Sequence, residues 1–321
     1  HPRAIISRGG TAAGRRLPAS GSPPLRRSRP RAFYAPAVRV AFATCWAFPD
    51  GAEEDRPAAA LLGADFVRWD DPDVDWSAYD RVVIRSTWDY TFRVGEFLGW
   101  TRSLGERRLR NTPQLVAFNS DKRYLAELSC RTVPTLYVGP GDRLPELTGE
   151  VVVKPNVSAG ARDTGRFSES SHPAALALIE QIRATGRTAL VQPHVASVAS
   201  EGETALVFIG GEPSHAARKK PILAADEVAP TLEDGLRVAK AMLDEDLVEP
   251  GQATVAQMQL ARSLLNEISA RFGMPLYARV DVVDDAGGEP MLLELEVVEP
   301  RLFLHLAPGA AERLAAAVLV S

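Results

Sequence analysis

Cysteine, lysine and long hydrophobic runs are all scarce in this chain of 321 residues. The two cysteines, Cys45 and Cys130, provide neither a disulfide framework nor the spacing of a zinc site, which favours a reducing, cytoplasmic setting. No apolar run approaches the ~20 residues that cross a bilayer, so we expect no membrane partner. Because 45% of the residues are hydrophobic and 24% are charged, the composition is that of a globular protein, and disorder throughout is excluded.

Acidic residues are absent from residues 1–37, which hold eight arginines, six prolines and four glycines. We predict that this segment is a disordered basic tail, either a vector remnant or an over-extended start, and that the folded protein begins near Val38. The rest of the chain carries 29 basic and 41 acidic residues. A body this acidic is poorly suited to neutralising phosphates, so we expect no nucleic-acid partner beyond what the tail alone could bind.

Lysine accounts for only five of the 37 basic residues. Where arginine is the default cation, a retained lysine indicates a position that requires a compact ammonium group rather than a planar guanidinium. One of the five, Lys240, lies in an ordinary helical pattern, where chance explains it. The other four stand at or beside motifs with further chemical content: Lys122, Lys154, Lys219 and Lys220.

Alternating strand and helix patterns between Val38 and about residue 110 predict a parallel α/β layer. Beyond this layer, Asn119–Ser120 predicts the N-cap of a helix that runs through Leu128. A hairpin is expected at 203–221, and two further strands are expected at 276–283 and 290–298. The pattern therefore combines α/β and α+β architecture.

The segment VVVKPNVSAGARDTGR at 151–166 joins a strand that ends in Lys154 to a loop of small residues. Small residues let backbone N–H groups approach an anion, and the adjacent lysine adds a point charge that suits phosphate. The order of the residues is not that of a Walker A motif. A strand followed by Lys-Pro and a loop also occurs often by chance.

Charged residues alternate in two strand patterns near the C-terminus. Residues two apart in a strand share a face, which puts Arg279 beside Asp281 and Glu294 beside Glu296. If the two strands are antiparallel neighbours, three carboxylates converge, and such a cluster of hard oxygen ligands suits Mg2+ or Mn2+. A solvated sheet face is the alternative.

A third segment, with Gln192, His194 and Val195, ends a strand shortly before Glu203. The free backbone groups of a strand edge can bind an adenine, and a carboxylate just beyond can accept hydrogen bonds from ribose hydroxyls. By itself this pattern carries little weight.

Taken in order from Asn119 to about Leu304, these segments resemble the ATP-grasp superfamily of carboxylate ligases, to which D-alanine–D-alanine ligase and glutathione synthetase belong. The resemblance implies the ATP-grasp fold, in which an N-terminal α/β substrate domain precedes two α+β subdomains that enclose ATP. We expect these three parts at 38–115, 116–190 and 191–321.

The resemblance also implies roles for individual residues. Those implied to bind the nucleotide are Lys122, Lys154, Ser158, Ala159, Gly160, Gln192, His194, Val195, Glu203 and Lys219. Those implied to hold the metal are Asp281, Glu294 and Glu296, although many members have Asn at the last position. Arg279 and Lys220 are implied to be catalytic, and either Lys219 or Lys220 reaches the terminal phosphate.

Motifs from Val38 onward, including RSTWDY at 85–90, resemble a narrower branch that contains the cyclo-ligase of D-cycloserine biosynthesis, which closes O-ureido-D-serine into a ring. This resemblance implies that RSTWDY faces the active site. We then expect Arg85 to grip a substrate carboxylate, and Trp88, Asp89 and Tyr90 to hold an amino group or ring. For Trp88 and Tyr90, core packing is an equally weighted alternative.

We therefore predict an ADP-forming ligase that uses ATP and Mg2+ to phosphorylate a carboxylate or carbonyl group of a small amino-acid-like substrate, with ring closure inside one substrate molecule. An intermolecular carboxylate–amine ligase is the alternative, followed by a small-molecule kinase. A non-enzymatic nucleotide-binding module is disfavoured because it would not need the metal acids. The expected partners are the small substrate and, as an open alternative, a second copy of the chain.

Overall fold

The computed structural model describes residues 38–229 and 245–320, so the predicted tail at 1–37 and Lys240 lie outside the described residues. The strands are β1 (Val40–Thr44), β2 (Asp65–Arg68), β3 (Arg81–Ser86), β4 (Leu109–Arg110), β5 (Leu136–Val138), β6 (Val151–Pro155), β7 (Gly165–Phe167), β8 (Ala189–Pro193), β9 (Glu203–Ile209), β10 (Glu212–Lys219), β11 (Glu227–Val228), β12 (Val248–Gly251), β13 (Tyr277–Asp284) and β14 (Pro290–Glu296). The α-helices are α1 (Arg56–Leu62), α2 (Val94–Arg108), α3 (Pro113–Asn119), α4 (His172–Ala184), α5 (Ala196–Glu201), α6 (Val255–Phe272) and α7 (Ala310–Val320). Of these described helices, none has the length and apolar content to cross a membrane.

The first four strands form a parallel sheet in the order β2-β1-β3-β4. β1 and β3 are almost entirely buried, as is typical of parallel strands covered on both faces. Phe42 and Val83 belong to the core that α1 and α7 cover, whereas Ile84 packs in the core that contains Phe97 of α2. The predicted parallel α/β layer is confirmed.

The middle sheet is antiparallel and has the strand order β11-β7-β6-β8-β5. Helix α4 buries an apolar stripe of Leu178, Ile179 and Ile182 in the core of this sheet, around Val153 of β6. This packing fixes β6, the strand that carries Lys154.

The C-terminal sheet is also antiparallel, in the order β12-β10-β9-β13-β14. The β9–β10 hairpin turns at Gly210 and Gly211, whose φ values of 60° and 83° are in the left-handed region that glycine adopts without strain. Helix α6 begins with a capping box of Thr254 and Gln257 and packs against the sheet. The predicted hairpin and the two predicted strands that became β13 and β14 are confirmed.

The helix expected from Asn119 to Leu128 is wrong. Asn119 ends α3, and the chain continues as a 3-10 helix, Lys122–Glu127, whose cap is the Asp121 side chain. The Asn119 side chain is instead buried, donating to the Leu295 carbonyl at 2.7 Å and accepting from the Val297 amide at 3.0 Å. The local sequence at Asn119 is compatible with either a helix cap or a buried amide that has two long-range partners. Tertiary contacts therefore decide which of the two forms.

Buried hydrogen bonds join the end of the parallel sheet to the C-terminal sheet. Asn111, with a φ of 60°, donates to the carbonyls of Tyr277 (3.0 Å) and Val297 (2.6 Å) and accepts from the Leu276 amide (2.7 Å). A shift of the parallel sheet relative to the C-terminal sheet would leave a buried polar group unpaired. These hydrogen bonds therefore favour a single arrangement of the two sheets. The N-terminal part is thereby fixed beside β13 and β14, which carry the predicted acidic residues.

Candidate active site

A cavity of about 280 Å3 lies between the middle and C-terminal sheets, and Trp88 and Tyr90 from the N-terminal part also line it. The structure brings to its wall all fifteen residues for which the ATP-grasp resemblance implies a nucleotide-binding, metal-binding or catalytic role. They are Lys122, Lys154, Ser158, Ala159, Gly160, Gln192, His194, Val195, Glu203, Lys219, Lys220, Arg279, Asp281, Glu294 and Glu296.

The acidic residues converge because β13 and β14 are antiparallel neighbours, as predicted. Their register pairs Arg279 with Glu296 and Asp281 with Glu294. The Arg279 guanidinium donates from two nitrogens to both oxygens of Asp281, each at 2.8 Å, and it also contacts Glu296. A buried bidentate pair of this kind fixes the orientation of both side chains.

Two lysines contact the carboxylates of Glu203, Asp281 and Glu294. The Lys219 ammonium lies 2.6 Å from Glu203 and 2.8 Å from Asp281. Burial acts to lower the pKa of Lys219, but the two carboxylates outweigh it and the pKa is raised. The Lys122 ammonium lies 3.2 Å from a Glu294 oxygen and donates to the Ser158 carbonyl at 2.8 Å, which ties the small-residue loop to the acidic strands.

Lys154 differs from the other two lysines. Its side chain is buried, and within the described chain no carboxylate oxygen lies within 4.0 Å of its ammonium group. Burial therefore lowers the pKa of Lys154, although Glu294 acts in the opposite direction. A buried cation that faces a cavity without a close counter-ion favours an anion in that cavity.

The titration of the acidic residues reflects which cations are near. Burial raises the pKa of Glu296 to about 7, assisted by Glu294 and Asp281 and opposed by Arg279. Burial also acts to raise the pKa of Glu294, but Lys122 and Lys154 outweigh it, and the pKa is lowered. Glu294 is therefore ionised at neutral pH, and its charge depends on those lysines.

The predicted metal ligands meet the chemical requirement for a hard divalent cation only in part. Asp281, Glu294 and Glu296 supply carboxylate oxygens to one cavity, and such oxygens suit Mg2+. Each of them is bound to a lysine or arginine, however, and the described residues contain no group of three ligating side chains already arranged around a cation. The donor set fits a magnesium ion provided that some of these ion pairs exchange.

The end of β8 forms the more apolar side of the cavity. Gln192 donates to the Thr135 hydroxyl at 2.8 Å, and His194 pairs with Glu150 at 3.0 Å, so both side chains are held by the middle sheet. Val195 lines the wall with Val133 and other aliphatic side chains. A flat apolar group fits such a wall better than a charged one.

Lys220 contacts the rim rather than the acidic residues. Its side chain is exposed, and its ammonium donates to the Asp246 carbonyl at 2.9 Å. Of the two lysines between which the sequence left a choice, Lys219 is the one that reaches the carboxylates.

Arg85 is one of two predicted site residues that the structure does not bring to the cavity. Its guanidinium is buried against Asp55 at 2.8 Å and Glu54 at 3.7 Å, and it also donates to the Pro300 carbonyl. The prediction that Arg85 grips a substrate carboxylate is therefore wrong, because two carboxylates of this chain already occupy it. A pattern of adjacent residues does not identify a partner thirty positions earlier.

Asp89 is also turned away from the cavity. It accepts from the Trp69 indole at 2.7 Å and pairs with Arg93 at 3.3 Å. Trp88 and Tyr90, on either side of it, do line the cavity, so core packing alone does not describe them.

Sequence reasoning missed a group of residues that follow β14 and line the cavity. They are Glu299, Arg301 and Phe303. Burial and the nearby Glu296 raise the pKa of Glu299 to about 8. The signal that could have found them is the continuation of charged and aromatic residues directly after the acidic strand.

The comparisons with known proteins identify the family. A family model described as the N-terminal domain of D-cycloserine synthetase DcsG matches residues 40–111. The cycloserine biosynthesis protein DcsG of Streptomyces lavendulae is 36% identical over 277 residues, which cover 80% of this chain and 88% of that protein. The chain belongs to the DcsG family. The crystal structure of D-cycloserine synthetase DcsG superposes with a TM-score of 0.72 and 30% identity, over 87% of this chain and 98% of the other.

More distant relatives share the fold. A D-alanine–D-alanine ligase from Bacillus anthracis superposes with a TM-score of 0.59 at 13% identity, over 88% of this chain and 97% of the other. The predicted ATP-grasp fold is confirmed, and this DcsG family member is an ATP-dependent ligase, as the sequence predicted.

Proposed function

We propose that this ligase uses Mg2+ and ATP to phosphorylate a carboxylate or carbonyl group of a small amino-acid-like substrate and then closes a ring within that molecule, releasing ADP and phosphate. The observation that carries the nucleotide part is Lys154, whose buried ammonium has no close carboxylate among the described residues. A triphosphate supplies the missing negative charge.

The two lysines that hold carboxylates support the same proposal. When phosphates enter, Lys122 and Lys219 exchange their contacts with Glu294 and Asp281 for phosphate oxygens, which have the higher charge density. The freed carboxylates, with Glu296, are the residues that would hold a magnesium ion. Bound there, the ion would supply positive charge to the phosphate oxygens as the phosphoryl group transfers.

The remaining nucleotide groups have matching surroundings. The aliphatic wall around Val133 and Val195 suits the adenine ring, with the backbone at the end of β8 beside it. Glu203, which Lys219 holds at 2.6 Å, is the carboxylate for the ribose hydroxyls. Arg279 stays with Asp281 and donates toward the oxyanion that develops on the activated group.

An acyl phosphate must be kept from water, and the loop at 158–164 is the segment we assign as a lid. Gly160, Ala161 and Asp163 have φ values of 67°, 55° and 56°, so the loop is tightly wound over the cavity. Ala159 and Gly160 present no long side chain there, which lets backbone N–H groups approach the phosphates.

Ring closure is favoured by the family, whose named relative is a D-cycloserine synthetase. A nucleophile tethered within the substrate has a high effective concentration, so no second amine pocket is required.

The test is ADP release across a panel of single amino acids, O-ureido-D-serine and small amines, each assayed alone and in pairs. The proposal expects full turnover with one amino-acid-like compound. Turnover that requires a second amine would instead establish the intermolecular ligase, and ADP release with a stable phosphorylated product would establish a kinase. The cytoplasmic setting, the absence of a nucleic-acid partner and the homodimer remain predictions.

A further inference from the structure

Glu299 lines the cavity and is not among the residues proposed to contact the nucleotide or the metal. It lies three residues beyond Glu296, after β14 has ended, and its backbone carbonyl accepts a hydrogen bond from the Trp88 indole at 3.1 Å. Trp88 belongs to the N-terminal part of the chain. Glu299 therefore lies at the junction between the acidic strands and the segment that carries Trp88 and Tyr90.

The Glu299 carboxylate differs from every other acidic residue on the cavity wall. The other four each have a lysine or arginine nitrogen within 4.0 Å, and they are Glu203, Asp281, Glu294 and Glu296. No basic nitrogen of the described chain comes that close to Glu299. A carboxylate on a cavity wall without a close cation favours a cationic ligand, which supplies the positive charge that the described residues do not place beside it.

The surroundings of Glu299 are aromatic. Burial and, after it, the nearby Glu299 carboxylate raise the pKa of Tyr90, and both Tyr90 and Trp88 are buried side chains on the cavity wall. Phe303 lines the same cavity four residues further along the chain. A carboxylate among aromatic faces suits an ammonium group, which gains a charge-assisted hydrogen bond from one and a cation–π contact from the other.

We propose that Glu299, together with Tyr90 and Trp88, binds the ammonium group of the amino-acid-like substrate. The proposal rests on the proposed function, since it identifies the part of the substrate that this end of the cavity recognises. A substrate ammonium brings a positive charge to a carboxylate that has no basic nitrogen within 4.0 Å among the described residues. This subsite would bind only substrates that carry an α-amino group.

The alternative for Glu299 is a purely structural role, in which it only fastens Trp88 through its backbone carbonyl. The two roles differ in what a glutamine does at this position. Glutamine keeps the size of the side chain and the backbone carbonyl that accepts from Trp88, so a structural role survives, whereas the charge that attracts an ammonium is lost.

The experiment measures binding by calorimetry, with a non-hydrolysable ATP analogue and Mg2+ present. The probes are O-ureido-D-serine and the same compound with hydrogen in place of its amino group. The proteins are the wild type, Glu299→Gln and, as the matched control, Glu289→Gln, which changes an exposed glutamate at the other end of β14. We expect the wild type and the control to prefer the amino compound, and Glu299→Gln to lose ~10- to 100-fold in affinity for that compound alone.

Equal affinity of the wild type for both probes, or a preference that survives in Glu299→Gln, would overturn the proposal. If Glu299→Gln does not fold, Tyr90→Phe serves instead, and it should weaken the amino compound by ~3- to 10-fold while leaving the other probe unchanged. ADP release from the wild type is recorded in parallel. If the preference for the amino compound is lost in Glu299→Gln but the wild type releases no ADP, the subsite is supported and the proposed function is wrong. If the wild type releases ADP but Glu299→Gln keeps the preference, the proposed function is supported and the subsite is wrong.

Discussion

The Arg162 guanidinium stacks on the Phe92 ring, with its carbon 3.9 Å from the ring centre. It also reaches the Thr91 carbonyl at 3.5 Å. Arg162 belongs to the loop that we assign as a lid, and Phe92 belongs to the segment that carries Trp88 and Tyr90. This cation–π contact therefore joins the loop that we assign as a lid to the segment that lines the proposed substrate subsite.

Replacing Phe92 with alanine should weaken this junction. A cation–π contact is worth ~0.5–2 kcal/mol, so we expect kcat to fall by ~2- to 30-fold and ATP hydrolysis without product formation to rise. The measurement is the ratio of ADP to ligated product. Arg271→Ala, which removes a comparable contact on Phe118 at 4.4 Å outside the cavity wall, is the control and should leave that ratio unchanged.

Lys154→Met should lower activity without lowering thermal stability. The lysine has no carboxylate partner within the described residues, so removing its charge leaves no counter-ion unpaired and relieves a buried ammonium. We expect turnover to fall by at least ~10²- to 10³-fold, with Tm equal to or above that of the wild type. A variant that turns over normally would mean that Lys154 does not contact phosphate.

Glu294→Ala should also abolish turnover, but with a different effect on stability. It leaves the Lys122 ammonium without its carboxylate at 3.2 Å, so we expect a lower Tm as well as a rate loss of ~10²- to 10³-fold. Circular dichroism at the assay temperature checks that the chain remains folded. Near-normal activity would mean that Glu294 has only a structural role.

The two adjacent lysines of the hairpin should behave differently. Lys219→Met leaves Glu203 without its close cation and Asp281 with Arg279 alone, and it should lower both kcat and Tm. Lys220→Met removes only a contact to a backbone carbonyl at the rim, so we expect a change in kcat of less than about threefold, typical of an exposed site. The reverse order of effects would show that Lys220 is the residue that reaches phosphate.

Arg85→Ala should act on stability rather than on substrate affinity. It leaves the buried Asp55 without its guanidinium, whereas Glu54 keeps Arg301 at 3.3 Å, and breaking a buried pair in this way costs ~3–5 kcal/mol. Thermal unfolding measures the loss. The double variant Arg85→Met, Asp55→Leu should regain most of it, whereas a raised KM in a fully stable Arg85→Ala would restore Arg85 as a substrate ligand.

Local patterns in the sequence were sufficient for much of the fold. β3 occupies the residues that the apolar pattern indicated, since a buried parallel strand has few alternatives to a short β-branched run. The pairing of Arg279 with Glu296 and of Asp281 with Glu294 follows from two-residue periodicity once the strands are antiparallel. Scarcity of lysine singled out Lys154 because arginine is the default cation of this chain.

The sequence could not indicate contacts that depend on distant residues. Arg85 looked available because its partner Asp55 lies thirty positions earlier, and Asn119 looked like a cap because its partners lie on β14 and just beyond it. Glu299 follows the end of a strand, where no periodicity predicts the direction of a side chain. Only the packing of the N-terminal part against the end of β14 reveals it.

The central claim is that the γ-phosphoryl group is transferred to an oxygen of a small amino-acid-like substrate. The most direct measurement uses substrate in which the activated carboxylate or carbonyl oxygen is 18O, with phosphorus NMR of the products. The account predicts ADP and inorganic phosphate that carries the 18O label, with no added amine required. AMP and pyrophosphate, or phosphate without the label, would contradict it.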